Sequence, residues 1–285
     1  MRIAAVVVTH NRPALLIDAI DALRGQTRMI DALIVVDNAS GEETVDVLKQ
    51  AQGIHVLRLD ENLGGAGGFA AGVHRALELG ADWILLLDDD AIATPSLVEQ
   101  LLGPLGQLAH EKVGAICSTV LEFGRVALMH RRRFDPATLK EPVVDEAEYR
   151  ESPVRIDCGS FVGFLVSAAA VRAVGLPNAS FFLAYDDTEY SLRLGRAGWS
   201  IWLAPGAVID HRRPAGGRLR SGPYGVKHYY NLRNQLAVFR HYGTAPKWRL
   251  VKPLAMHGFV AVKDGRISSL RRWLKAWRDS WKVRI

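Results

Sequence analysis

Residues 85–91 read LLLDDDA, so three aspartates, Asp88, Asp89 and Asp90, follow directly on an apolar run. Carboxylate oxygens are the preferred ligands of hard divalent cations. If the strand runs on through the acids, residues i and i+2 share a side. Asp88 and Asp90 then face one ion, and Asp89 faces away toward backbone donors or the scaffold, where an Asn replacement costs least. An acidic turn or helix N-cap is the other use of such a run, although three acids exceed what a cap needs. A second acid group, Asp186, Asp187 and Glu189, opens a helix-like stretch (YDDTEYSLRL), where the helix dipole alone would favour it. His211 ends a short apolar run and precedes Arg212 and Arg213.

The elements that must hold these residues alternate. Apolar runs at Ile3–Val8, Leu33–Val36, Ile54–Leu59 and Trp83–Leu87 are separated by helical patterns. One pattern is opened by Pro13, with Leu16, Ala19, Ile20 and Leu23 on one face; another follows the glycines at Gly64–Gly68 and runs to Leu79. Strands alternating with helices imply βαβ units and a parallel sheet whose strands are buried on both faces. A helix over Pro95–Ala109, a strand at Val113–Ser118, apolar structure over Ser160–Val174 and short strands at Ser200–Leu203 and Ala207–Ile209 continue the pattern. Between Gly124 and Pro153, with the basic run HRRR (His130–Arg133), the pattern weakens and predicts a long loop or excursion. From Tyr224 onward the chain reads as helix with breaks near Gly243 and Pro253.

Composition narrows the class. The chain has 285 residues, a formal net charge of +6 and two cysteines, Cys117 and Cys158. Two cysteines give neither a disulfide framework nor a metal-spacing motif, and they predict buried thiols in a reducing compartment. No signal peptide is visible, and no apolar run reaches the ~18–20 residues that span a bilayer. The basic balance suits nucleic acid, anionic lipid or phosphate-bearing substrates.

In open α/β sheets ligands sit outside the carboxyl ends of the strands. Here those ends carry Thr9, His10, Asn11 and Arg12; then Asp37 and Asn38; then Asp60, Glu61 and Asn62; then the three aspartates. The convergence predicts one crevice with groups for a base, a ribose and a metal. Gly65, Gly67 and Ala70 fit G-x-G-x-x-A, but a dinucleotide fold wants that motif after its first strand, which here ends in THNRP. The glycines are better explained by a helix N-terminus approaching a ligand or by tight packing on the sheet.

Taken in order, VVVTHNRP, VVDNAS, ENLGGAGGFAAG, LLLDDDA, YDDTEYSLRL and IDHRRP resemble family 2 glycosyltransferases of the GT-A fold. The resemblance implies a mostly parallel α/β domain over residues 1–215, with a nucleotide-sugar half to about 120 and an acceptor/base half from about 155. A helical C-terminal region would fill 216–285. It further implies a nucleotide-diphospho-sugar donor, an inverting transfer and a Mn²⁺ or Mg²⁺ cofactor. Carried over by position, Thr9, Asn11, Arg12, Asp37, Asn38, Asn62, Gly64, Asp88 and Asp89 belong to the donor site. Asp88, Asp90 and His211 are the metal ligands. Asp187 is the general base with Asp186 beside it, and Arg212, Arg233 and Asn234 are candidates for phosphate or acceptor.

YYNLRNQ (Tyr229–Gln235) is similar to segments of bacterial rhamnosyl- and galactofuranosyltransferases. The expected donor is UDP-galactofuranose, with dTDP-rhamnose as the alternative. At the C-terminus Trp273, Trp277 and Trp281 repeat at i, i+4 and i+8 beside six basic residues, the pattern of an interfacial helix; packing on the domain or on a second copy is the other reading. A membrane surface suits a polyprenyl-diphosphate-linked glycan acceptor, and so a cytoplasmic protein peripheral on the inner face of the membrane. Oligomerisation is left open. A nucleotidyltransferase would want a glycine-rich phosphate loop in place of THNRP. A nucleic-acid binder with footprints at His130–Arg133 and Arg212–Arg220 would bring phosphates against an acidic crevice, so no nucleic-acid partner is expected. A noncatalytic sugar-binding module would not need metal ligands and a base together.

Overall fold

The computed structural model describes residues 1–150, 153–214 and 223–285. Arg218 and Arg220 of the basic stretch, and the expected division at 215/216, lie outside the described residues. Strand β1 (Ile3–Thr9) leads through α1 (Pro13–Arg24) to β2 (Ala32–Asp37), then through α2 (Glu42–Gln50) to β3 (His55–Arg58), and through α3 (Gly64–Glu78) to β4 (Trp83–Asp88). There follow β5 (Ala91–Ala93), α4 (Leu97–Leu102), β6 (Val113–Glu122), β7 (Arg125–Val126), β8 (Arg131–Arg132), β9 (Val154–Ile156), β10 (Cys158–Gly159) and β11 (Phe164–Ser167). Helices α5 (Ala168–Val174) and α6 (Asp186–Arg196) precede β12 (Ser200–His211), and α7 (Val226–Tyr242), α8 (Val251–Lys263) and α9 (Ile267–Asp279) close the chain.

The main sheet runs β3-β2-β1-β4-β11-β6-β12-β5. Strands β3, β2, β1 and β4 are parallel, as are β6 and β12, whereas β11 and β5 run antiparallel to their neighbours. Alternation along β1 divides the core. Ala4, Val6 and Val8 face a cluster with Phe69 and Val73 of α3 and Tyr190 and Leu194 of α6. Ile3, Ala5 and Val7 face Leu16 and Ile20 of α1 and Leu97 and Leu101 of α4. With both faces covered, a central strand must be apolar throughout.

Four expected elements differ. The helix from Pro95 is shorter, because Gly103 and Pro104 turn the chain after Leu102 into a 3-10 turn. The two short strands expected near 200–209 are one long strand, β12, which bulges at Pro205–Ala207 and regains its register with β6. Pro253 lies in the first turn of α8, where a proline is tolerated, and the chain breaks instead at Asp264–Arg266. The 124–153 stretch is an excursion, as expected, but one with its own pairing: β8 with β10, Arg132 with Val143 and Asp135 with Lys140.

The glycines of α3 are packing devices. A Cβ on Gly68 would come within 2.5 Å of Val8 Cγ1, and one on Gly72 within 2.2 Å of Val6 Cγ1. Helix α3 therefore lies directly on β1, which fixes the height of the loop before it. Gly72→Ala gains about 1 kcal/mol of helix propensity. Overpacking against a fully buried central valine outweighs it, at about 1–3 kcal/mol. The variant is expected to unfold at lower denaturant concentration than the wild type.

Candidate active site

Strand register gathers the site. Thr9 pairs with Asp37, Val8 with Asp88 and Asp37 with Arg58, so four strand ends stand level. From the other side β12 lies between β6 and β5, with Asp210 opposite Leu121 and His211 opposite Ala91. Arg212 donates its backbone N–H to the Asp90 carbonyl at 2.7 Å. His211 is thereby delivered to the aspartate run from more than 120 residues away.

Strand β4 ends at Asp88, and Asp89 and Asp90 form a turn. The alternation argument for Asp88 and Asp90 therefore does not hold, but the turn reaches the same result. Asp88, Asp90 and His211 each offer an atom within 4.8 Å of the others', while Asp89 accepts from Thr9 Oγ1 at 2.7 Å and pairs with Arg12 at 3.2 Å. Asp90 Oδ2 is held by Arg12 Nη1 at 2.6 Å. Its other oxygen, Oδ1, is buried with no hydrogen-bond donor aimed at it, though His211 Nε2 lies 3.2 Å away. Two hard carboxylates, an imidazole and an orphaned buried oxygen fit a divalent cation. Burial, and then the charge of Asp90, push the Asp88 carboxyl up to about 7. Burial also raises Asp90, but contacts with His211 and Arg12 outweigh it and leave that carboxyl below its usual range. Asp89 is buried and tied to Thr9 and Arg12.

The residues expected at the nucleotide lie at this edge, and most already brace one another. Asn11 Oδ1 accepts from the Gly41 N–H at 2.7 Å, and Asn11 N–H donates to Ser40. Asn38 spans to the next loop, accepting from Leu63 N–H and donating to the Gly64 carbonyl. Asn62 Oδ1 caps Gly64 N–H at 2.8 Å. Asp37 is 0% exposed, accepting from Ser40 N–H and pairing with Arg58 at 2.9 Å; a base reaches it only if Arg58 moves. Gly64 has φ +71°, and a Cβ there would meet the Phe182 carbonyl at 2.0 Å. The same carbonyl accepts from Ala66 N–H at the start of α3. That helix end thus receives the loop before α6.

That loop is strained. Phe182, Ala184 and Tyr185 all have positive φ, which is costly for side-chain-bearing residues and persists only where the surroundings enforce it. Asn234 enforces it, donating Nδ2 to the carbonyls of Phe181, Leu183 and Ala184. Arg233 donates to the carbonyls of Ser180 and Phe181 and stacks on Tyr230. Asn234 is thus committed to the loop backbone, and Arg233 supports it through Nη2 while its Nε donates to Asn234 Oδ1 at 2.8 Å. Arg212 is turned away, to Asp18 and Asp210 at the surface.

The loop presents two unlike acids. Asp186 is buried, and burial beside Asp187 and Asp88 holds its pKa well above the carboxylate range. Asp187 is half-buried; its Oδ1 accepts from Thr188 N–H at 2.6 Å and from the Thr188 hydroxyl. Among the described residues nothing donates to Oδ2. Asp187 lines a cavity of about 860 Å³ together with Arg132, Glu141, Tyr185, His228, Lys252, Met256 and Val260. Asp88 is close enough for its charge to add to the shift of Asp186, so the acid pair and the aspartate run are neighbours.

Sequence reasoning missed Arg58, Glu122 and the excursion's His130, Arg131 and Arg132. Arg132 pairs with Glu141 and donates to the Thr188 hydroxyl at 2.7 Å, behind Asp187. Three arginines in a row read as a solvated charge run; the available signal was the histidine before them, at the edge of an apolar strand.

A sheet of this order with helices on both faces is the GT-A fold, and solved structures share it. GalNAc-T7 with UDP, GalNAc and Mn²⁺ superposes with a TM-score of 0.65 at 15% identity, covering 84% of this chain and 48% of that one. S. aureus TarS 1-349 in complex with UDP gives 0.62 at 14% identity, covering 98% and 80%. Residues 4–172 match the family described as glycosyl transferase family 2. The chain belongs to that family and is a glycosyltransferase. It is similar to galactofuranosyltransferase GlfT1 of Mycobacterium tuberculosis, 36% identical over 221 residues, covering 73% of this chain and 69% of the relative. The Mycolicibacterium smegmatis GlfT1 is 30% identical over 304 residues, covering 97% and 95%. N-acetylglucosaminyl-diphospho-decaprenol L-rhamnosyltransferase of M. tuberculosis is 25% identical, covering 86% and 87%.

Asn234→Ala removes the side-chain donor from the carbonyls of Leu183 and Ala184 and leaves that of Phe181 to Arg233 and Leu183 N–H. A loss of about 1–3 kcal/mol in denaturant unfolding is expected, with kcat falling more than donor KM changes. Wild-type values for both would remove Asn234 from the support of the acid loop.

Proposed function

We propose that the protein is an inverting, metal-dependent transferase that moves galactofuranose from UDP-galactofuranose to a hydroxyl of a polyprenyl-diphosphate-linked glycan. The observation that carries this is the grouping of Asp88, Asp90 and His211, with Asp88 near enough to act on Asp186, the neighbour of the cavity-lining Asp187, in a chain 30–36% identical to galactofuranosyltransferases. The alternative donor, dTDP-rhamnose, draws support from the rhamnosyltransferase relative at lower identity.

Asp88, Asp90 and His211 would hold Mn²⁺ or Mg²⁺, which when bound neutralises charge developing on the departing diphosphate. Arg12 keeps Asp90 ionised and oriented. A sugar hydroxyl is a weak nucleophile and needs a base as it attacks. Asp187 suits that role: Thr188 holds Oδ1, and Oδ2 faces the cavity side free of donors among the described residues. Asp186, buried beside it, favours its neutral form. One direct displacement inverts the anomeric centre and uses no enzymatic nucleophile.

The acceptor's lipid is supported by the C-terminal helices. Residues 247–285 hold 11 Lys and Arg against two Asp. Trp248, Val251, Phe259, Val262 and Ile267 are exposed there, Phe259 at 70%, as are Trp277 at 45% and Trp281 at 61%. Trp273 does not belong to such a surface, because its ring packs on Gly258 and its Nε1–H donates to the Leu254 carbonyl at 3.0 Å. The crevice runs from Asp187 to Met256 and Val260 of α8, so an acceptor sugar and its lipid would lie at opposite ends. Among the described residues no helix is long and apolar enough to cross a membrane, and the proposed attachment is peripheral, at the inner face.

A donor panel of UDP-galactofuranose, dTDP-rhamnose, UDP-glucose and UDP-GlcNAc with Mn²⁺ and a lipid-linked acceptor, read by mass, tests the function; extension by UDP-galactofuranose is expected. In the same assay Asp187→Asn is expected to abolish transfer and leave UDP binding nearly unchanged; full activity would remove Asp187 from the role. Full-length protein is expected to sediment with vesicles containing anionic lipid. Phe259→Ser with Val262→Ser is expected to weaken that binding, and equal sedimentation of both proteins would count against α8 as the contact.

A further inference from the structure

We infer that Glu122 is a positioning residue for His211, held as an acceptor by Arg213 and by a relay that runs from the buried Arg131 through Ser160 to His130. This rests on the reading of Asp88, Asp90 and His211 as ligands of the cation. Glu122 ends β6, the parallel neighbour of β12, so the strand pairing that delivers His211 brings the carboxylate with it.

Arg131 is 0% exposed, and its described partners are the carbonyls of Ser118, His130, Ser160, Val162 and Gly163 together with the Ser160 hydroxyl. A guanidinium only donates. Ser160 Oγ, 3.2 Å from Arg131 Nη1, therefore accepts there and turns its own hydrogen to His130 Nδ1 at 2.7 Å. With Nδ1 an acceptor, the His130 proton sits on Nε2 and is donated to Glu122 Oε1 at 3.1 Å. Burial, which lowers the His130 pKa, favours this neutral form. Glu122 Oε2 accepts from Arg213 Nε at 2.8 Å, so with His130 on Oε1 both oxygens serve as acceptors. His211 Nδ1, 3.3 Å from Oε1, must then be the donor. Its lone pair is left on Nε2, the nitrogen beside Asp90 Oδ1 at 3.2 Å. A carboxylate on the far nitrogen fixes both the tautomer and the ring plane of a ligating histidine.

Distance alone would also let Glu122, His130 and His211 surround a cation. Arg213 on one Glu122 oxygen and Arg131 behind His130 place two permanent positive charges at that spot, which opposes a cation there. The arrangement accounts for the HRRR run: its histidine and first arginine are inside the protein, serving the metal side of the crevice.

The test is Mn²⁺ binding to full-length protein in the presence of UDP, read from the EPR signal of free Mn²⁺. Glu122→Ala is expected to weaken binding by about 10–100-fold, and His211→Ala is expected to weaken it as well. In the His211→Ala background, Glu122→Ala should add no further loss, a non-additivity that a general structural defect would not produce. Glu122→Gln keeps the volume and one oxygen acceptor, so it serves if the alanine variant fails to fold; a smaller loss, again absent without His211, is expected. If His211→Ala loses Mn²⁺ while the Glu122 variants bind as wild type, or lose equally in both backgrounds, the positioning inference falls alone. Wild-type Mn²⁺ affinity in His211→Ala would overturn the ligand assignment and this inference with it.

Discussion

Three adjacent carboxylates at the buried end of a central strand repel one another, and the surrounding structure is organised to offset that repulsion. Asp88 to Asp90 are taken out of water by the sheet beneath them and the loops around them. Like charges this close cannot all stay ionised without nearby positive charge or hydrogen-bond donors. Each aspartate finds a different answer. Asp89 is given Thr9 and Arg12, Asp90 is given Arg12 and His211, and Asp88 is left with a pKa near 7 and the smallest share of compensation. The turn that separates the three side chains is therefore what makes them chemically unlike.

The same constraint explains the topology around the site. Arg12 must come from the loop after β1, which needs β1 beside β4. His211 must come from β12, which needs the antiparallel β5 immediately after the aspartates as its partner. Strand β5 is only three residues long, yet its pairing fixes the reach of the imidazole. The glycines of α3 lower a helix onto β1, and the start of that helix receives the carbonyl of Phe182. Both acid groups thus depend on close approach between backbones.

Much of this was legible from the residues alone. Continuous apolar runs disclosed the central strands, and polar residues at four strand ends disclosed the crevice. What stayed hidden has a common physical cause. Asn234 spends its amide N–H groups, and Arg233 its Nη2, on backbone carbonyls, which carry no mark in the sequence. The continuity of β12 through Pro205 and Gly206 depends on a bulge that only its neighbours on the sheet stabilise. Arg131 reads as solvated because the carbonyls that surround it come from Ser118 and from residues 160–163, brought together by tertiary structure. The pairing of Asp88 with Asp90 was expected from strand alternation, whereas the structure brings the two together with His211 through a turn.

The C-terminal helices are mechanically part of the crevice. Helix α7 supplies the amide that holds the strained loop before Asp186, and its Val238 and Phe239 pack with Phe181 and Ala66. Helix α9 packs on α7 through Ala276, and Trp273 joins α9 to α8. Helix α8 therefore packs both on α9 and on α7, the helix that holds the segment carrying Asp187. Positive φ at three residues of that segment stores strain, and such a loop holds its geometry only as firmly as its clamp. If an anionic surface engages α8, it acts on the clamp as well as on the lipid of the acceptor. Attachment and catalytic geometry would then be coupled through Asn234, with no need for a separate regulatory element.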